Sequence, residues 1–288
     1  MEHGTGATPR EISYSNAARS RAGRAMIRGI ENLTGRPRLL KMALGYEREV
    51  AAGRDFWQVM QERYRLRIVF GGEGLEGIPR EGPLVVVSNH PYGILDGLTM
   101  GRMLSATRGD FKIIAHTVFR KAKDLEDVIL PIDFSETKAA QRINIATRKE
   151  ALGYLAGGGA IGIFPGGTVS TASRPFDRAM DPPWKPFTAR MIARSEAQVV
   201  PIFFEGQNSR LFQLASHLNY TLRTALLISE FDSRVGEPIR VIVGKPLPRA
   251  EIAARRGDPV ALMDYLRERT YRLSPRPIRD LSYGLYLG

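Results

Sequence analysis

Seven short apolar runs, most of them rich in β-branched residues, punctuate the chain between residues 65 and 244. They are RLRIVF (65–70), PLVVVS (83–88), FKIIAHT (111–117), DVILPI (127–132), AIGIFP (160–165), QVVPIFF (198–204) and IRVIVG (239–244). Between or after them lie stretches whose apolar residues recur at helical spacing, over 96–106, 137–156, 184–196, 209–226 and 258–272. Such alternation predicts an α/β fold, a largely parallel mixed sheet flanked by helices. Residues 1–62 read as a basic helical N-terminal arm and 63–288 as one α/β domain, a size within reach of a single core.

Two glycine patterns do not make a nucleotide site. Gly72, Gly74 and Gly77 spell G-x-G-x-x-G, as do Gly157, Gly159 and Gly162. A dinucleotide fingerprint must follow a strand and open a helix, whereas the first runs through Pro79 into another strand and the second leaves a helix for a strand. Glycine-rich stretches lack a P-loop lysine, and G-x-S-x-G and H-E-x-x-H do not occur. The chain has no cysteine, which removes disulfides, thiolate metal sites and a cysteine nucleophile.

Chemistry is expected where strands end in polar, glycine-bearing loops: SNHPYGILDG (88–97), FPGGTVSTASR (164–174) and FFEGQNSR (203–210). Ligands of open α/β sheets collect at the carboxyl ends of strands, so these loops share one edge. His90 and Asp96 are six residues apart, about 240° around a regular helix, and only a bend brings them together. Pro91 disfavours helix at His90 and Gly93 permits a turn, after which Asp96 opens a helix and faces back to the imidazole. A carboxylate on one ring nitrogen sets the tautomer and leaves the other as a general base. The plainer alternative, Asp96 as helix cap and His90 as a buried hydrogen-bonded ring, stays open at this point.

The His90–Asp96 loop, FPGGTVS and VVPIFFEG occur in the order of the motifs of the glycerol-phosphate and lysophospholipid acyltransferase family, over about residues 80–210. NHPYGILDG most resembles the hemolysin-type branch, which includes ornithine-lipid acyltransferases. The resemblance implies the acyltransferase fold, His90 as base and Asp96 as its partner. It further implies an acyl thioester donor, acyl-CoA or acyl-ACP, and attack by the hydroxyl or amine of a lysolipid or aminolipid acceptor. No metal or other cofactor and no covalent intermediate is implied, and the enzyme is expected to be membrane-associated. For the oxyanion the expected donors are backbone N–H groups of Gly166, Gly167 or Thr168, or those of the helix starting near Asp96. Ser170, Arg174, Glu205, Asn208, Ser209 and Arg210 are the candidates to line the substrate sites.

The chain also departs from the family pattern. Five residues rather than the usual four separate His90 from Asp96, Gly166 replaces a glutamate, and Val169 replaces an arginine associated with phosphate binding. No F-I-x-R block precedes PIDFSETKAAQR, where Arg142 is the nearest substitute. A valine offers an anion nothing, so the expected acceptor contact here is uncharged or aliphatic.

Net charge is +12, and residues 10–48 hold nine basic residues against three acidic. Within 19–41, Met26, Ile27, Ile30 and Leu33 recur at helical spacing with Arg21, Arg24 and Arg28 interleaved. Such a helix either lies on an anionic bilayer or packs on its own domain. The N-terminus has no apolar signal region and no run is long enough to span a bilayer, so the expected location is cytoplasmic, peripheral on the inner face of the membrane. Two rival readings are a non-catalytic basic module for membrane or nucleic acid and an inactive acyltransferase-like protein. Against nucleic acid, aromatics do not interleave with basic residues and no recognised motif appears.

Overall fold

The computed structural model describes residues 13–15, 18, 20–116, 123–133 and 137–286; residues 1–12, Asn16, Ala17, Arg19, Thr117 and 134–136 of the stretches discussed above lie outside them. All seven apolar runs form strands of one sheet: β1 (Arg67–Gly72), β2 (Leu84–Ser88), β3 (Lys112–His116), β4 (Ile129–Ile132), β5 (Ala160–Ile163), β8 (Gln198–Phe204) and β9 (Pro238–Val243). Between β5 and β8 a separate two-stranded hairpin, β6 (Thr171–Ala172) and β7 (Ala179–Met180), adds to them. The sheet order is β1-β9-β8-β2-β5-β3-β4. All pairs are parallel except β8 with β9, where the direction reverses.

Side-chain alternation divides the core into two layers. Leu84 and Val86 of β2 face one layer and Val85 and Val87 the other, so every residue of this central strand is buried. Helices α5 (Ile94–Arg108) and α9 (Tyr220–Ser233) cover the first layer, while α6 (Lys138–Ala156), α7 (Pro186–Ile192) and α11 (Pro259–Tyr271) cover the second.

The N-terminal residues form four helices, α1 (Arg21–Leu33), α2 (Arg36–Ala43), α3 (Tyr46–Ala51) and α4 (Phe56–Arg63). The 19–41 segment therefore divides in two, at Thr34–Gly35, where Gly35 has φ +128° and a Cβ would overlap Asp232. Leu39, Ala43, Trp57, Met60 and Tyr64 join the same core cluster as β2, β8 and β9. Trp57 packs directly on α5: a Cβ on Gly101 would stand 2.1 Å from its ring, so only glycine permits this approach. On α1, Ile27 is buried and packs inward, whereas Met26 and Leu33 remain exposed.

The helix expected over 209–226 is also two, α8 (Arg210–Leu218) and α9. Asn219 turns the chain and caps α9, its Oδ1 accepting the N–H groups of Thr221 at 2.7 Å and Leu222 at 3.3 Å. A short helix, α10 (Arg249–Ala253), precedes α11.

Candidate active site

The loop after β2 is pinned at each step. Asn89 extends the ladder with its side chain, donating from Nδ2 to Phe204 O at 2.9 Å and accepting the Phe204 N–H on Oδ1 at 2.7 Å. The His90 N–H donates to Asp181 Oδ1 at 3.2 Å, and its carbonyl accepts the Ser170 N–H at 2.8 Å. Tyr92 donates its hydroxyl to Glu205 O at 2.7 Å. Gly93, at φ +80° and ψ −119°, then turns the chain into α5.

This turn brings Asp96 back onto the loop. Its Oδ2 accepts the N–H groups of Tyr92 at 2.7 Å and Gly93 at 3.0 Å, and lies 2.9 Å from His90 Nδ1 in a bent approach. One carboxylate thus both caps α5 and faces the imidazole. Asp96 is fully buried, and loss of hydration raises its pKa above the ordinary carboxylate value, against the opposing pull of His90 and the two amides. The His90 ring stacks on Phe164 at 4.3 Å and 24° and keeps 19% exposure. It borders a cleft of about 100 Å³ lined largely by apolar groups, among them Ile114, Ile132, Ile163, Phe164 and Phe187.

The FPGGTVS loop runs beside it. Gly167 lines the cleft, and its N–H donates to Phe164 O at 3.1 Å. That amide, one of those expected to face a developing oxyanion, is therefore occupied within its own turn, as are those of Tyr92 and Gly93 at the start of α5. Gly166 lies against Asp181, where a Cβ would be 3.4 Å from the carboxylate. Ser170 is buried with its Oγ donating to Asp181 Oδ1. Val169 is buried and packs with Phe212 and Leu227.

Arg223 of α9 reaches the loop that carries Val169. It donates to Thr168 Oγ1 at 3.1 Å, Val169 O at 2.8 Å, Ser216 Oγ at 2.9 Å and Thr171 Oγ1. Both terminal nitrogens are spent on neutral oxygens, and burial lowers the guanidinium pKa to about 10.

The remaining candidates lie elsewhere. Ser209 caps α8 and binds Glu230 through its N–H and hydroxyl, and Asn208 is buried with its amide. Arg174 is exposed near the β6–β7 turn, and Arg210 donates to Phe176 O at 2.9 Å. Glu205 lines a second pocket, with Arg276 at 3.6 Å and Arg240 at 3.9 Å. The third loop thus does not bring its polar residues to the His90 cleft; Arg142 lies on α6.

Asp181, Asn89 and Arg223 organise the site and were missed from sequence. Asp181 follows a two-residue strand and meets its partners only through tertiary contacts, so no local pattern marks it. Asn89, adjacent to the histidine in the motif, carried the one available signal.

The family model described as Acyltransferase matches residues 41–276. Lyso-glycine lipid O-acyltransferase of Bacteroides thetaiotaomicron is 23% identical over 228 residues, covering 77% of this chain and 80% of that protein. The enzyme of the same name from Phocaeicola vulgatus is 24% identical over 203 residues, covering 68% and 70%. The crystal structure of the 1-acyl-sn-glycerophosphate acyltransferase of Thermotoga maritima superposes with a TM-score of 0.46 at 13% identity, over 91% of this chain and 87% of that one. With the family model matching most of its length, this chain belongs to the acyltransferase family.

Proposed function

We propose that this enzyme transfers an acyl chain from acyl-CoA or acyl-ACP to the hydroxyl of a lysolipid-type acceptor, with His90 as general base. The carrying observation is the 2.9 Å approach of Asp96 Oδ2 to His90 Nδ1 at the rim of an apolar cleft. Asp96 holds the proton on Nδ1, leaving Nε2 to take the acceptor's hydroxyl proton as the oxygen attacks the thioester carbonyl. The tetrahedral adduct then collapses: the C–O ester bond stays, the C–S bond breaks, and the imidazolium returns its proton to the departing thiolate. The N–H groups of Gly166 and Thr168 are the loop donors assigned to the oxyanion.

The acceptor is assigned as a lyso-glycine-type lipid rather than a lysophosphatidic acid. Two curated relatives act on lyso-glycine lipid by name. At the FPGGTVS loop Val169 is apolar, and the terminal nitrogens of Arg223 are already hydrogen-bonded to loop and helix oxygens. A buried phosphate there would lack a fork of donors.

Peripheral membrane attachment fits two helix faces. Met26 and Leu33 of α1, and Leu211, Leu214 and Leu218 of α8, are exposed at helical spacing. Gly23 of α1 adjoins Thr221 just beyond α8, which brings exposed Arg21 and Arg24 close to the α8–α9 corner. Among the described residues no helix is long and apolar enough to cross a membrane.

Purified protein assayed with radiolabelled acyl-CoA and acyl-ACP tests the reading. Acylation of lyso-glycine lipid with a higher kcat/KM than lysophosphatidic acid is expected, and the reverse preference overturns the acceptor assignment. Binding to vesicles containing phosphatidylglycerol but not to phosphatidylcholine alone is expected of the attachment.

A further inference from the structure

A second pocket, of about 370 Å³, opens where β8 ends and β9 begins, and four arginines line it: Arg178, Arg234, Arg240 and Arg276. They come from four separate segments: the β6–β7 hairpin, the turn after α9, β9, and the chain after α11. The lining holds one carboxylate, Glu205, whose contacts to Arg276 at 3.6 Å and Arg240 at 3.9 Å are longer than hydrogen bonds. Arg234 is held in place, donating to Gln207 O at 3.0 Å with its guanidinium 4.7 Å above the Tyr92 ring. Four cations facing one carboxylate across a concave surface leave an uncompensated positive field, which an anion relieves. Guanidinium forks suit phosphate oxygens in particular.

The position relative to His90 narrows the ligand. Along the sheet edge the apolar cleft lies at the ends of β5, β3 and β4, His90 follows β2, and the arginine pocket lies at β8 and β9. Strands stand about 4.8 Å apart, so the ends of β8 and β9 that carry the pocket lie roughly 5 and 10 Å along the edge from the end of β2, on the side away from the apolar cleft. Tyr92, two residues from His90, forms part of its wall. A thioester donor has this layout: the alkyl chain leaves the carbonyl in one direction and the phosphate-bearing pantetheine arm in the other. We infer that the arginine pocket binds the phosphate end of the acyl thioester donor while the apolar cleft takes the acyl chain. The assignment rests on the acyl-transfer reading for the identity of the ligand, and on the pocket's own geometry for its charge.

Arg240 and Arg276 have side chains 61% and 82% exposed, so glutamine at either position leaves the core untouched. Steady-state kinetics with palmitoyl-CoA, palmitoyl-ACP and palmitoyl-pantetheine, which lacks phosphate, test the assignment. In Arg240→Gln/Arg276→Gln the KM for a phosphate-bearing donor is expected to rise about ten-fold or more. The KM for acceptor and for palmitoyl-pantetheine is expected to stay unchanged. A rise for palmitoyl-CoA alone identifies the nucleotide phosphates, and a rise for both carriers identifies the phosphodiester they share. An equal rise with palmitoyl-pantetheine, a rise confined to the acceptor, or no rise overturns the proposal. Calorimetry with CoA and with ACP bearing its phosphopantetheine arm, on His90→Ala protein, separates this from failure of the catalytic reading. Binding that the two glutamines abolish supports the pocket whatever the turnover, and binding of neither carrier overturns it.

Discussion

Asp181 Oδ1 accepts the main-chain N–H of His90 at 3.2 Å, across 91 positions of sequence. The same carboxylate receives the Ser170 hydroxyl and, on Oδ2 at 2.8 Å, the Trp184 Nε1–H. Three chain segments are thereby tied to one buried group. Asp181→Ala leaves three buried donors unpaired and is expected to lower unfolding free energy by about 3 kcal/mol or more, read by urea titration. A loss below about 1 kcal/mol removes Asp181 from its place as the tie between these loops.

His90→Ala removes the assigned base and leaves the backbone bonds to Asp181 and Ser170 in place. Turnover is expected to fall about 100- to 10,000-fold with little change in donor binding. Near-normal turnover in a correctly folded variant excludes His90 as the base.

Asp96→Asn separates catalysis from stability. Burial raises the Asp96 pKa above the ordinary value near 3.8, so over the interval between the two the folded state binds more protons than the unfolded state. Stability then falls as pH rises through that interval, and the cost of the buried charge is complete above it. Asparagine keeps an oxygen for the N–H groups of Tyr92 and Gly93 and has no charge to bury. The melting temperature of Asp96→Asn relative to wild type is expected to be higher at pH 8 than at pH 4, while turnover drops about 10- to 100-fold. A melting-temperature difference that does not move with pH contradicts the raised pKa.

Gly101→Ala probes the contact between the N-terminal helices and the domain. Its Cβ would stand 2.1 Å from the Trp57 ring, so α4 has to shift, at an expected cost of about 1–3 kcal/mol. Gly97→Ala on the same helix meets nothing within 4 Å and is expected to gain about 0.5–1 kcal/mol. Equal effects of the two substitutions on thermal melts rule out a tight Trp57 contact.

Legibility in the sequence followed the range of the forces involved. The seven strands could be read because consecutive apolar residues announce burial locally, as in LVVVS of β2. The reversal of β9 left no such trace, since a strand's direction depends on where the chain enters the sheet. Helix breaks at Thr34–Gly35 and Asn219 were overlooked because apolar spacing continues across them, while the positive φ of Gly35 and the cap made by Asn219 arise from contacts. At the site, His90, Asp96 and Gly93 lie within seven residues, and turn chemistry alone suggested their approach. Asp181 and Arg223 act on loops far away in sequence, through single side chains without local periodicity. The loops of Arg174 and Arg210 follow strands, which in sequence points them to the site, but tertiary packing turns them to the surface and to Phe176.

The order of strands in the sheet also sets a schedule for the chain as it is made. Arg67 of β1 pairs with Pro238 of β9, and β2 lies between β5 and β8, so its Leu84 meets both Ala160 and Gln198. During synthesis β1 waits for a partner until Pro238–Val243 has emerged, and the apolar β2 keeps an open edge until β8 appears. Partners so distant delay closure of the sheet and leave sticky edges exposed in the meantime. Refolding from denaturant is therefore expected to be slow and to lose yield as protein concentration rises, with recovery when a chaperone shields the unfinished sheet.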